Sequence, residues 1–251
     1  MSRHATPRRV DYIKWTLIVG LSMIAVAVGV FLAWRYHWIH PSVTVDFSRY
    51  PVTGIDVSSH NGTIDWKQVA AQGHRFAYVK ATEGTTFVDK SFSTNVRHAQ
   101  AAGLKVGAYH YFRMQRDGKA QAAHLLRIVG DHTLDLPLVI DVEDDGSGDV
   151  EPAIVRSRLK DMAIVLQRHG YAVMIYTNGN GMRTYYNEGL EAYDLWLSSF
   201  RNPDSIAHFG HRFQQYSHWG RADGVSGQVD MNIFMGSETQ WTNWVDDLAH
   251  R

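Results

Sequence analysis

Leu136-Pro137-Leu138-Val139-Ile140-Asp141-Val142-Glu143 is a short apolar run opened by a proline and closed by two carboxylates. Its branched residues fit a strand buried on both faces, the usual state of a parallel sheet. Side chains alternate faces along a strand, so Asp141 and Glu143 are expected on one face, roughly 7 Å apart. Two acids on a buried face are costly unless they have partners or work to do. Asp144, Asp145, Gly146, Ser147 and Gly148 follow at once. The pair therefore falls at the C-terminal lip of a strand over 138–143, where α/β barrels hold their chemistry.

Working outward, further apolar runs predict strands at 54–58, 76–81, 106–112, 172–178, 195–200, 213–218 and 229–234. A helix begins at Asp65, and others fit 91–102, 118–130 and 152–170, where Gly103 and Gly170 suit C-caps. Strand–helix alternation implies parallel strands joined by right-handed crossovers. The last two strands are separated only by 219–228, which Gly220, Gly224 and Gly227 interrupt. A helical crossover needs about 10–12 residues, so the final strands should be joined by loops, some of them antiparallel. The domain spans 53–251, short beside the ~250 residues of a full barrel. The expected fold is α/β: an irregular TIM-like (β/α) barrel of about eight strands with helices mainly in the first half, preceded by one transmembrane helix.

That helix is read from the N-terminus. Residues 1–14 form a tail with Arg3, Arg8, Arg9 and Lys14 against Asp11, and Trp15 to Trp34 then runs without a charge. At 1.5 Å per residue such a run matches a hydrocarbon core of ~30 Å, with an indole at each interface. Ala25-Val26-Ala27 imitates a signal-peptide cleavage site, yet the apolar run continues seven residues to Trp34. An uncleaved, single-pass anchor at 15–34 in the cytoplasmic membrane is expected. The basic tail then stays cytoplasmic, 35–52 acts as a linker, and the domain lies on the periplasmic or extracellular side.

Composition narrows the chemistry. The 251 residues carry 25 Lys+Arg and 25 Asp+Glu, which gives no electrostatic case for a nucleic-acid partner. The absence of Cys excludes disulfides and thiolate chemistry. No phosphate-binding glycine pattern opens a helix, so no cofactor is expected, and Asn61-Gly62 and Asn178-Gly179-Asn180-Gly181 read as turns. The 14 His are scattered without metal-ligand spacing, so no metal site is expected. Asp56, His60, His110 and Asp141 would be the ligands of the alternative, a metal-dependent polysaccharide deacetylase.

Polar groups at the strand ends should converge on one mouth. Asp56, Asp141, Glu143 and Asp230 are the candidate catalytic acids, and Tyr109, Tyr176, Trp196, Gln215 and Asn232 the candidate substrate contacts. Aromatic rings stack on pyranose faces, while carboxylates supply acid, base or stabilising charge for glycosidic cleavage. The aromatics fit barrel packing as well. Lys80 and Glu83 fit scaffold or rim. A catalytically inactive wall-binding module would keep the aromatics and lose the acids.

Gly54-Ile55-Asp56-Val57-Ser58, Val79-Lys80-Ala81-Thr82-Glu83-Gly84, Gly107-Ala108-Tyr109-His110-Tyr111, Asp141-Val142-Glu143, Tyr176-Thr177-Asn178, Gln215-Tyr216-Ser217 and Val229-Asp230-Met231-Asn232 stand in a telling order. It resembles that of glycoside hydrolase family 25, the Chalaropsis-type lysozymes or N-acetylmuramidases, over roughly 53–235. The resemblance implies cleavage of the β-1,4 bond after N-acetylmuramic acid in peptidoglycan glycan strands. The catalytic domain is expected to be monomeric. It implies that Glu143 is the general acid. A general acid working near neutrality needs a raised pKa, which neighbouring carboxylates in a partly desolvated cup supply, so Glu143 is expected to be the protonated member of the cluster. Asp141 would stabilise charge or orient the substrate acetamido group, with Asp56 and Asp230 completing the set. Configuration would be retained, with the acetamido group as nucleophile. Tyr111 departs from the family's usual phenylalanine, and Leu195-Trp196-Leu197-Ser198-Ser199-Phe200 from its usual Trp-Ile-Ala-x-Tyr.

Overall fold

The computed structural model describes residues 9–35, 43–143 and 150–250. Arg3, Arg8, linker residues 36–42 and residues 144–149 lie outside the described residues. The chain divides into two units, Met1–Ser42 and Val43–Arg251.

The first unit holds helix α1 (Arg9–Arg35). Its stretch Lys14–Leu32 is long and apolar enough to cross a membrane, and none of it is buried. Apolar residues surround this helix instead of forming one stripe.

In the second unit β1 (Thr53–Val57), α2 (Trp66–Ala71), β2 (Phe76–Glu83), β3 (Phe87–Val88), α3 (Phe92–Ala101) and β4 (Lys105–Tyr111) lead into α4 (Gly118–Val129), β5 (Leu138–Asp141) and α5 (Pro152–Arg168). Then come β6 (Val173–Asn178), α6 (Gly179–Tyr185), β7 (Asp194–Ser198), α7 (Pro203–Ile206), β8 (Phe213–Gly220), β9 (Val229–Phe234) and α8 (Glu238–Ala249). Strands β1, β2 and β4 to β8 run parallel in ring order, and β9 closes the ring antiparallel to both β8 and β1. The result is a closed barrel of eight strands, with β3 added outside the ring as a hairpin on β2.

Strand alternation sorts the residues into two shells. Ala77 and Val79 of β2, Leu138 and Ile140 of β5, and Val173 and Ile175 of β6 face outward into the core shared with the helices. Phe76, Tyr78, Val139, Met174, Tyr176, Trp196 and Phe213 face inward and fill the barrel in layers. Small residues make that filling possible. A Cβ on Gly107 would lie 2.1 Å from the Tyr78 ring, and one on Gly54 2.5 Å from the Phe76 ring. Helix α8 seals the bottom: Trp241 and Trp244 pack on Phe213 and Phe234, ring centroids 5.4 to 6.2 Å apart. Each such buried aromatic contributes about 2–3 kcal/mol.

Three local expectations change. Strand β5 ends at Asp141, so Glu143 lies two residues past it instead of within it. The Asn178–Gly181 segment is not a plain turn: the Asn178 side chain accepts from the amides of Asn180 and Gly181 and starts α6. Residues 43–52, expected as part of the linker, belong to the compact unit. Asp204 fixes them, accepting from the Tyr50 hydroxyl at 2.8 Å and pairing with Arg49 at 2.9 Å.

Candidate active site

A cleft of about 190 Å³ opens at the C-terminal ends of the parallel strands. Asp56 of β1, Lys80 of β2, Tyr109 and Tyr111 of β4, Asp141 at the end of β5 and Glu143 beyond it line it. Tyr176, Trp196, Gln215, His218 and Asp230 complete the wall. The four candidate acids therefore share one cavity. Asn232 alone among the candidate residues is not in the lining; it is fully buried one layer below.

A chain of donors and acceptors fixes the first acid. The indole N–H of Trp196 can only donate, and it donates to Asn232 Oδ1 at 3.0 Å. That turns the Asn232 amide nitrogen toward Asp56 Oδ2, 2.8 Å away. Gln215 Nε2 donates to the same oxygen at 2.9 Å, while its own carbonyl accepts the hydroxyls of Tyr176 at 2.7 Å and Ser198 at 3.0 Å. Trp196 and Gln215, each only 2% exposed, thus act chiefly on Asp56 and Tyr176.

Burial, and then the charge of Asp230, push the Asp56 carboxyl up to about 8, against the opposing pull of Asn232, Gln215 and His218. Asp141 is also raised well above the ordinary carboxylate value, first by burial and then by the charges of Glu143 and Asp56, with Lys80 opposing. Its Oδ1 is buried and has no hydrogen-bond partner among the described residues. An unsatisfied acceptor beside an open cleft is ready for a donor on a ligand. The Tyr176 hydroxyl lies 3.3 Å from Glu143 Oε1.

His218 is the residue that sequence reasoning missed. Its Nδ1 lies 2.7 Å from Asp230 Oδ1. Burial works to lower its pKa, but the bond to Asp230 and the charges of Asp230, Asp56 and Glu143 prevail and raise it. Strict alternation from Phe213 and Gln215 would put Ser217 inside. A register shift between Gln215 and Ser217 changes the parity and turns His218 into the cleft. Lys80, expected as scaffold or rim, lines the cleft. The deacetylase set is not brought together: His110 faces the outer shell, held by Thr82 and Gln121, and His60 is exposed beside Ser58.

The family described as Glycosyl hydrolases family 25 matches residues 55–225. YegX of Escherichia coli O6:H1 is 34% identical over 213 residues, 80% of this chain and 76% of that protein. Lysozyme M1 of Streptomyces globisporus is 36% identical over 209 residues, 74% of this chain and 68% of its own length. The solved family 25 glycosyl hydrolase of Bacillus anthracis superposes with a TM-score of 0.74 at 32% identity, covering 81% of this chain and 97% of that one. With barrel, cleft and sequence in agreement, the chain belongs to the glycosyl hydrolases of family 25, and it is a glycoside hydrolase.

Proposed function

We propose that the cleft cuts the β-1,4 bond between N-acetylmuramic acid and N-acetylglucosamine in peptidoglycan, with Glu143 as general acid within the Asp56, Asp141 and Asp230 cluster. The observation that carries this is the gathering of Asp56, Asp141, Glu143 and Asp230 on one cavity, with an unsatisfied Asp141 oxygen among them. The lysozyme named among the relatives supports the substrate class.

Glu143, half-buried at the lip, gives its proton to the departing glycosidic oxygen as the bond to C1 breaks. The carbonyl oxygen of the acetamido group at C2 attacks C1 and forms a cyclic oxazolinium. Asp141 Oδ1 accepts the acetamido N–H and balances the positive charge that develops. Water then opens the ring, Glu143 takes back a proton, and configuration is retained. Because the nucleophile is the substrate's own, the carboxylate spacing of about 5–5.5 Å for direct double displacement does not apply. Asp230 and His218 form a charge pair at the far side, and Asp56 joins the two halves through Gln215.

Substituting Glu143→Gln should lower turnover on purified cell walls by roughly 10²–10⁴-fold, the usual loss of a general acid. Unchanged turnover would remove Glu143 from the role.

The cellular setting is a further part of the proposal. Helix α1 serves as an uncleaved single-pass anchor, with the basic tail cytoplasmic and the barrel on the outer side of the cytoplasmic membrane; its length and hydropathy support this. Alkaline carbonate should leave the full chain in the membrane pellet, and release by carbonate would contradict the anchor.

A further inference from the structure

Asp56 and Asp230 are opposed in register across the antiparallel pair of β1 and β9, and both line the cleft. Directly opposed residues hold their Cβ atoms about 4.5–5.5 Å apart, a separation at which two ionised carboxylates repel. One proton held between them removes that repulsion. Their neighbours decide which carboxyl takes it. Asp230 has the His218 ring, whose Nδ1 lies 2.7 Å from its Oδ1. That ring is held edge-on against Phe200, with centroids 4.8 Å apart. Asp56 is bonded only to the uncharged amides of Asn232 and Gln215, and it is buried where Asp230 is half-buried. The pair therefore keeps its charge on Asp230 and its proton on Asp56, in keeping with the rise of the Asp56 carboxyl to about 8.

Hydrogen bonding then fixes which oxygen carries the proton. Asn232 Nδ2 at 2.8 Å and Gln215 Nε2 at 2.9 Å both donate to Oδ2. The Asn232 amide can only be turned this way, because its carbonyl accepts the Trp196 indole. An oxygen that accepts two N–H donors has no lone pair left for a proton, which places the proton on Oδ1. Among the described residues no donor reaches Oδ1. Unlike Asp141 Oδ1 it is not enclosed, so it opens on the cleft.

We propose that Asp56 is the neutral member of the Asp56–Asp230 pair and donates its Oδ1 proton to a glycan oxygen that carries no proton, whether ether, ring or carbonyl. The proposal rests on the muramidase reading for the class of substrate and deepens it by giving Asp56 the role of a donor. A carboxylic acid kept neutral by burial can serve an acceptor that a carboxylate would repel. The groups that face Asp56 around the cleft, among the described residues, are Asp230 and His218 from β9 and β8, Asp141 and Glu143 from the end of β5 and beyond, and Lys80, Tyr109 and Tyr176 from β2, β4 and β6.

The test is carboxyl carbon NMR of the full-length Glu143→Gln chain in detergent micelles, labelled on aspartate, with the Asp56 signal assigned by its loss in Asp56→Asn. It is titrated with and without soluble peptidoglycan glycan strands. Without glycan the signal should titrate near 8. With glycan the midpoint should rise by about one pH unit, which equals about tenfold tighter binding by the acid than by the carboxylate. A midpoint lowered by glycan would make Asp56 an acceptor, and an unmoved one would take it out of contact with the sugar; either overturns the proposal. So would a glycan-free chain that titrates in the ordinary carboxylate range. In the otherwise wild-type chain, Asp56→Asn can set an amide N–H where Oδ1–H stood. Its kcat/KM should fall only severalfold, and a loss as deep as that of Glu143→Gln would overturn the donor role. An upward shift with strands that the wild type leaves uncut would remove the muramidase reading and leave the donor standing; cleavage with a downward shift would do the reverse.

Discussion

Replacing Asp56 by Asn should move stability and activity in opposite directions. Asp56 is 7% exposed, and burial followed by the Asp230 charge pushes its carboxyl from 3.8 up to about 8. A folded-state value above the unfolded one means that the folded protein keeps a proton the unfolded chain releases. The resulting stabilisation is full below the unfolded value of 3.8 and is lost as pH rises toward the folded value of about 8. By pH 7 the interval is about three units at ~1.36 kcal/mol each, so the loss is on the order of 4 kcal/mol. This is a ceiling, because Asp141 shares the titration. Asn keeps the shape and does not titrate, and its carbonyl still accepts the amides of Asn232 and Gln215. Melting of the full-length chain, followed by near-ultraviolet circular dichroism from pH 4 to 7, reads the difference. At ~2–4 °C per kcal/mol for a domain of this size, Asp56→Asn should gain roughly 5–15 °C on the wild type across that range. Its turnover should fall at every pH. A difference in Tm independent of pH, or a wild type that gains stability on this account as pH rises, would refute the reasoning.

Other perturbations probe the remaining links. In His218→Gln the positive charge that opposes the rise of Asp56 is gone, so the Asp56 carboxyl should titrate at higher pH, measured by carboxyl carbon NMR; an unmoved titration would break the coupling. Trp196→Phe removes the only indole donor to Asn232 Oδ1 and should cost about 1–3 kcal/mol for an unpaired buried group, read by urea unfolding. Gly107→Ala places a Cβ against the Tyr78 ring and should destabilise by about 1–3 kcal/mol through overpacking, seen as a lower midpoint in the same experiment.

The barrel strands were legible because their alternation is strict where both faces are buried. Phe76, Tyr78 and Lys80 face in while Ala77 and Val79 face out, and Val139 and Asp141 repeat the pattern on β5. Parity tells the face but not the depth along the barrel axis. Asn232 looked like a cleft residue, yet β9 runs downward from Asp230, so Asn232 lies a layer lower against Trp196. Parity also fails at a bulge, which is why His218 escaped notice while Gln215 did not. Helix α8 had a local signal in Ser237 and Gln240, whose reciprocal capping box starts it. Without knowing that the barrel bottom needs a lid, Trp241 and Trp244 gave no reason to place a helix there. The electrostatics were the least legible part, because the shifts of Asp56 and Asp141 come from burial and from neighbours on other strands.

The reaction itself is tested most directly by mass analysis of muropeptides released from peptidoglycan by the full-length chain, after borohydride reduction marks each new reducing end. Reduced N-acetylmuramic acid at those ends, absent in Glu143→Gln, is the expected result. Reduced N-acetylglucosamine, or no new reducing end at all, would contradict the muramidase account.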